Sequence, residues 1–338
     1  MKKKLSLALF FCVTFSLSFT SCGSSSEISD DIINGQASTN SPKEYVVKLG
    51  LGGEITSTIS PFTRTTTNTD LTGIQVYSCP NDGKSTAYTY YAYGLFDTTS
   101  GINIKLLDGY KYKLECTTVK DGKDKLSSYN GEYYGPFFIN TPTNGKQCSL
   151  SNTFTYSNTD YLLWVASGYS SLNIDNKIYY HPNTDRYYGF ITDYVPSENG
   201  SISMNMIRAA YGVKIVTDNF KEGSLQVSMK SSPLLTITYP TTEYQDIYSF
   251  NYLSNCFTNL NYTEDIEVSA NWVKPDGVSV PLDTKTVTFQ RNMLTTITIK
   301  IQDNSVNNGV NISDNTETLG TGSSVSMGNS STNTPVNP

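Results

Sequence analysis

From Tyr45 onward, apolar and polar residues alternate in short runs. Residues 45–49 (YVVKL) and 73–77 (GIQVY) alternate in part. Residues 102–106 (INIKL) alternate cleanly, as do 110–116 after an Asp108-Gly109 turn. This period of two predicts half-buried strands. Further Asp-Gly or Asn-Gly pairs begin at 82, 121, 130, 144, 199 and 276. Turns this frequent, between runs of five to eight residues, argue for β-sandwiches over a βαβ fold. The continuous apolar run 161–166 predicts a central core strand. A second block opens near Gly200, where Ile202, Met204 and Met206 alternate with polar residues. It continues through 211–216, 225–229, 234–239, 266–272, 285–290 and 296–301. The turn-rich connector 196–200 marks the expected boundary, and 247–257 is the one place that allows a short helix.

Both ends of the chain depart from this pattern. Lys2, Lys3 and Lys4 precede an apolar stretch at 5–19, and small residues then run into Cys22. The stretch is too short and too early for a permanent membrane span. It resembles a bacterial lipobox, in which the Cys22 thiol is acylated and becomes the mature N-terminus. Several acyl chains on one residue anchor stably, at roughly 0.8 kcal/mol per buried methylene. Residues 22–42 are rich in Ser, Asp, Asn and Gly and predict a flexible linker. Glu27, Asp30 and Asp31 in it are either a sorting signal or simply solvated. The tail at 304–338 is too polar to fold by itself. The expected layout is therefore a signal peptide at 1–21, a linker at 22–42, a sandwich at 43–199, a second at 200–303, and the tail.

Composition narrows the function. Of 24 lysines and arginines, three leave with the signal, so 21 face 30 acids, a balance of −9. An acidic surface argues against nucleic acid as a partner. Loss of Cys12 and acylation of Cys22 leave Cys79, Cys116, Cys148 and Cys256. Four cysteines allow three pairings, and an exported chain also tolerates buried free thiols. Their spacing fits no zinc site, since C-x-x-C is absent and there is a single histidine.

That histidine, His181, lies in a turn-like stretch with no G-x-S-x-G elbow in the chain to partner it. No Walker A, dinucleotide or EF-hand motif occurs. The chain is thus expected to be non-catalytic and without a cofactor, although carboxylates paired in space, as in a glycosidase, leave no signature in sequence. Three tyrosine-rich clusters stand out, around 88–93, 129–138 and 179–188. Tyr133, Tyr134, Tyr180, Tyr187 and Tyr188 are candidates to stack on sugar faces. The alternative is that these rings are ordinary strand residues, buried with wet hydroxyls. Arg64 sits in a polar, extended stretch after the first strand, where a trypsin-like protease could cut between Arg64 and Thr65.

Taken in order, several features resemble the fimbrillin family, the lipoprotein pilins and anchor or tip subunits of Bacteroides-type bacteria. They are the lipobox at Cys22, Thr63-Arg64 after a first strand, and the Asp185-Arg186-Tyr187-Tyr188-Gly189 turn. They continue with the run 206–214 (MIRAAYGVK) and Phe289-Gln290-Arg291-Asn292 before a last alternating strand. The resemblance implies an all-β chain of two tandem transthyretin-like β-sandwich domains. It also implies an outer-membrane, surface-exposed lipoprotein that partners other fimbrial subunits by strand exchange and serves adhesion to a host or bacterial ligand. In polymerising members a cut after an arginine like Arg64 would free the first strand, and a neighbour's strand would fill the groove. The tail departs from a donor strand: only Val306, Val310 and Ile312 precede a predominantly polar stretch. A surface glycan-binding lipoprotein is the alternative role.

Overall fold

The computed structural model describes residues 42–55, 69–125, 127–129, 132–134, 150–160, 162, 172–174, 177–301 and 315–318. Cys22, Arg64, Thr65 and Cys148 lie outside them. The described chain is almost entirely β. In its first part come β1 (Glu44–Gly53), β2 (Leu71–Pro80), β3 (Thr89–Phe96), β4 (Ile102–Leu107) and β5 (Tyr110–Val119). β6 (Ser127–Tyr129) and β7 (Glu132–Tyr134) form a ribbon, and β8 (Thr155–Tyr156) follows. A second ribbon joins β9 (Leu172–Ile174) to β10 (Lys177–Tyr179). β11 (Arg186–Tyr194) and β12 (Ser201–Arg208) complete this part.

Eight of these strands make one sheet in the order β4-β1-β12-β11-β5-β2-β3-β8. β12 is its hinge: residues 201–206 run parallel to β1, while Ile207 and Arg208 pair antiparallel with β11. The sheet wraps around a single core. Alternate residues of β1 (Val47, Leu49), β4 (Ile102, Ile104, Leu106) and β12 (Ile202, Met204, Met206) meet apolar residues of β2, β5 and β11 there. The clean period of two in β4 and β12 is the pattern of strands with one face on a core and one in water.

The second part comprises β13 (Ala210–Asp218), β14 (Ser224–Met229), β15 (Leu235–Thr238) and β16 (Glu243–Ser249). The short helix α1 (Leu253–Thr258) leads to β17 (Thr263–Val273), β18 (Ser279–Gln290), β19 (Met293–Lys300) and β20 (Asn315–Thr318). Two four-stranded sheets, β16-β13-β19-β20 and β15-β14-β17-β18, enclose a second core. Gly277 (φ 84°) turns the β17–β18 hairpin at Asp276-Gly277, as the sequence predicts.

Three sequence expectations need correction. The 201–208 strand, expected to open the second block, adds to the first sheet, where Ile202, Met204 and Met206 line the first core. The Asp185–Gly189 turn is instead the start of β11. Its consecutive tyrosines point to opposite faces, Tyr187 into the first core and Tyr188 into the second. β11 and β12 are therefore a wall common to both cores, and hydropathy shows no break there. The helix expected at 247–257 splits, its first residues ending β16 and only 253–258 forming α1. Of the run 161–166, only Leu162 is described, and it is buried.

Candidate functional site

The first strand of the described chain lies inside its sheet. β1 pairs antiparallel with β4 from Glu44↔Leu107 to Leu49↔Ile102, and parallel with β12 from Lys48↔Ser201 to Gly53↔Met206. Both edges of its backbone are thus engaged, and the bond from Glu54 N–H to the Met206 carbonyl (2.9 Å) extends the ladder past the strand. Val47 and Leu49 are buried in the first core. At roughly 1.5–3 kcal/mol for each aliphatic side chain, this burial ties β1 firmly in place. The strand ends at Gly53 (φ 79°), where a Cβ would lie 2.1 Å from Asn205 Oδ1. Only glycine fits that corner, which delivers Glu54 to the junction of the two cores.

A partly buried ionic network, with both arginines buried and both carboxylates part-exposed, receives it. Glu54 Oε2 accepts from the Arg208 backbone N–H (2.6 Å) and from an Arg291 terminal nitrogen (2.8 Å). The same Arg291 nitrogen donates to the Arg208 carbonyl (3.0 Å), and its Nε donates to the Leu260 carbonyl (2.7 Å). Arg208 in turn grips Asp185 through Nε and a terminal nitrogen, each at 2.7 Å. Burial opposes the charge on Arg208, but the Asp185 carboxylate, together with Tyr187 and Glu54, offsets it and raises its pKa. Arg291 is held at the corner between β18 and β19, where its own N–H bonds the Tyr262 carbonyl and the N–H of Asn292 bonds that of Ala210. Two arginines and two carboxylates thus join the N-terminal strand, the common wall and the second sandwich-like half.

The candidate sugar-stacking tyrosines separate. Tyr187 and Tyr188 are 1 % and 2 % exposed, core residues with no free ring face, which corrects the sugar-contact expectation for this pair. Tyr180 is 45 % exposed in the loop after β10. Tyr133 and Tyr134 lie in β7, and their side chains fall outside the description. His181 lies in a loop, as expected, but it is buried. Its Nε2 lies 3.2 Å from Glu264 Oε1, and its Nδ1 has no hydrogen-bond partner. Cys79, Cys116 and Cys256 are free and buried, and burial raises the thiol pKa of Cys116 and pushes that of Cys256 up to about 12. Such thiols pack as small apolar groups. Among the described residues no group of His, Cys, Asp and Glu is arranged to hold a metal, and no helix is long and apolar enough to cross a membrane.

Arg208 and Arg291 fall within runs that carry the resemblance, 206–214 and 289–292, but sequence alone assigned no role to them or to Glu54, and nothing in spacing links either arginine to Glu54.

Comparison with known proteins gives no matching family model and no matching curated protein. Among solved structures the chain is similar to fimbrial and cell-adhesion proteins. One is a Bacteroides uniformis protein described as a candidate for cell adhesion (8 % identity, TM-score 0.33, covering 82 % of this chain and 98 % of that one). Another is the C-terminally truncated tip fimbrial protein Mfa3 of Porphyromonas gingivalis (8 %, 0.33, 82 % and 100 %). A third is the fimbrial anchor protein Mfa2 of the same organism (10 %, 0.31, 76 % and 91 %).

Proposed function

We propose that this chain is a non-catalytic, fimbrillin-like surface lipoprotein that builds or decorates a fimbrium and serves adhesion. Acylated Cys22 would anchor it in the outer membrane, and residues 22–42 would be the spacer to two tandem β-sandwich domains. The observation that carries the reading is the position of β1. It is the first strand of the described chain and is internal to its sheet, yet no other described element leads into it. The polar stretch holding Arg64 and Thr65 follows ten residues after Glu54. A cut there would separate β1 from the body covalently. Its departure would open a groove lined by the bare edges of β4 and β12, which a strand from a neighbouring subunit could fill by main-chain pairing. The fimbrial anchor and tip roles named for two structural neighbours are within the range of roles proposed here.

Mass spectrometry of protein from native cells tests this. A mature N-terminus at Thr65 with SDS-resistant ladders is expected of a polymerising subunit, and Arg64→Ala should abolish that maturation while leaving the fold intact. A lipidated Cys22 start, no ladder and micromolar binding to a polysaccharide would overturn it in favour of a glycan-binding lipoprotein.

A further inference from the structure

We propose that the place β1 occupies selects its occupant by a carboxylate: a strand from another subunit that takes over this position must carry an acid where Glu54 stands. This rests on the strand-exchange reading above and deepens it. Val47 and Leu49 fill the first core from β1, and any strand with aliphatic residues two apart can supply that shape. The far end is more demanding. There the Arg291 guanidinium and the Arg208 N–H converge on one oxygen of Glu54, at 2.8 and 2.6 Å.

Neither group can find another partner easily. Arg291 has a side chain only 6 % exposed, and its bonds to the Leu260 and Arg208 carbonyls hold the guanidinium in place. Asp185 is the other acid of the network, and both its oxygens are taken by Arg208. With β1 gone, a buried cation and a backbone amide would face the vacated end of the groove. An incoming carboxylate would restore two charge-assisted hydrogen bonds, whereas an amide or aliphatic residue would leave the charge without a counter-ion. The fitting partner strand runs parallel to β12, with apolar side chains at i and i+2 and a carboxylate at i+7, the spacing of Val47, Leu49 and Glu54.

Exchange of peptides tests the rule. The full chain, given a specific protease site within residues 56–63, is nicked, and fluorescent peptides of residues 43–55 are equilibrated against the resident strand. One peptide is native and the other carries Glu54→Gln, so the body of the protein is the same for both. Hydrogen bonds to charged groups predict that the Gln peptide binds about ten- to a hundredfold more weakly. A body with Arg291→Gln should lose this discrimination. Equal affinity of the two peptides for the unaltered body overturns the carboxylate rule and leaves strand exchange standing. Failure of both peptides to enter overturns the replaceable strand and the rule together.

Discussion

The first core draws its residues from strands scattered between Val47 and Met206, whereas the second is drawn from the run between Tyr188 and Ile301. The difference lies in how each core is closed. The first depends on β1, the first strand of the described chain, for Val47 and Leu49. The second takes none of its buried apolar residues from N-terminal of β11. Removing β1 would strip the first core of two buried aliphatics and two ladders of hydrogen bonds. It would cost the second little beyond the counter-ion of Arg291. The molecule thus pairs a half closed by its first described strand with a half that draws its core from β11 onward, and the network at Glu54 connects them.

The sharpest way to break that connection is Arg208→Met. It leaves the partly buried Asp185 without its cation, and loss of about 2–4 kcal/mol is expected in urea unfolding. Fluorescence of Trp272, in the second core, should report the loss as well as any probe in the first. A first-core substitution asks whether the halves unfold together. Leu49→Ala should cost about 3 kcal/mol. If the Trp272 transition does not move with it, the cores are thermodynamically separate. Gly53→Ala comes next, at about 1–3 kcal/mol for a left-handed residue with no room for a methyl group. Hydrogen exchange should then quicken at Lys48 to Glu54 while β17 and β18 keep their protection.

The smallest effect concerns pH. Glu115 is 5 % exposed, with Lys113 Nζ at 2.8 Å and the hydroxyls of Tyr77 and Tyr188 at 3.2 and 3.4 Å. Burial raises its pKa, the lysine and hydroxyls offsetting only part of the rise. The folded state therefore holds this proton more tightly than the unfolded one. The resulting stabilisation is complete below the ordinary carboxylate range and is lost as pH rises through the raised value. Glu115→Gln should flatten the stability profile from the ordinary carboxylate range upward, and an unchanged slope would assign that slope to other groups.

Much of the strand architecture was legible because one face of many strands is wet. β4 and β12 show their alternation directly in Ile102-x-Ile104-x-Leu106 and Ile202-x-Met204-x-Met206. β11 was not legible, for the opposite reason. Arg186, Tyr187 and Tyr188 are all buried, the two tyrosines in different cores, so no polar face remained to set the period. The same two-sided burial hid the join between the cores, and the change of sheet within β12 leaves no turn residue to mark it. The tyrosine clusters were visible, but composition does not say which rings face water: Tyr180 does, and Tyr187 does not. The pairing within the ionic network was beyond sequence reasoning, although Asp185, Arg208 and Arg291 lie in runs that carry the resemblance. Glu54 and Arg291 are 237 positions apart, and only the folded wall between the cores brings them within reach.

The setting of β1 between β4 and β12 has a mechanical consequence. Hydrogen bonds in a sheet lie roughly across the strand axis. A pull along β1, the direction in which a chain of strand-linked subunits would be stretched, loads both of its ladders in shear, so the bonds share the force instead of parting one at a time. A pull across the strand would peel them singly. The seat of this strand is therefore strongest against a pull along its own axis.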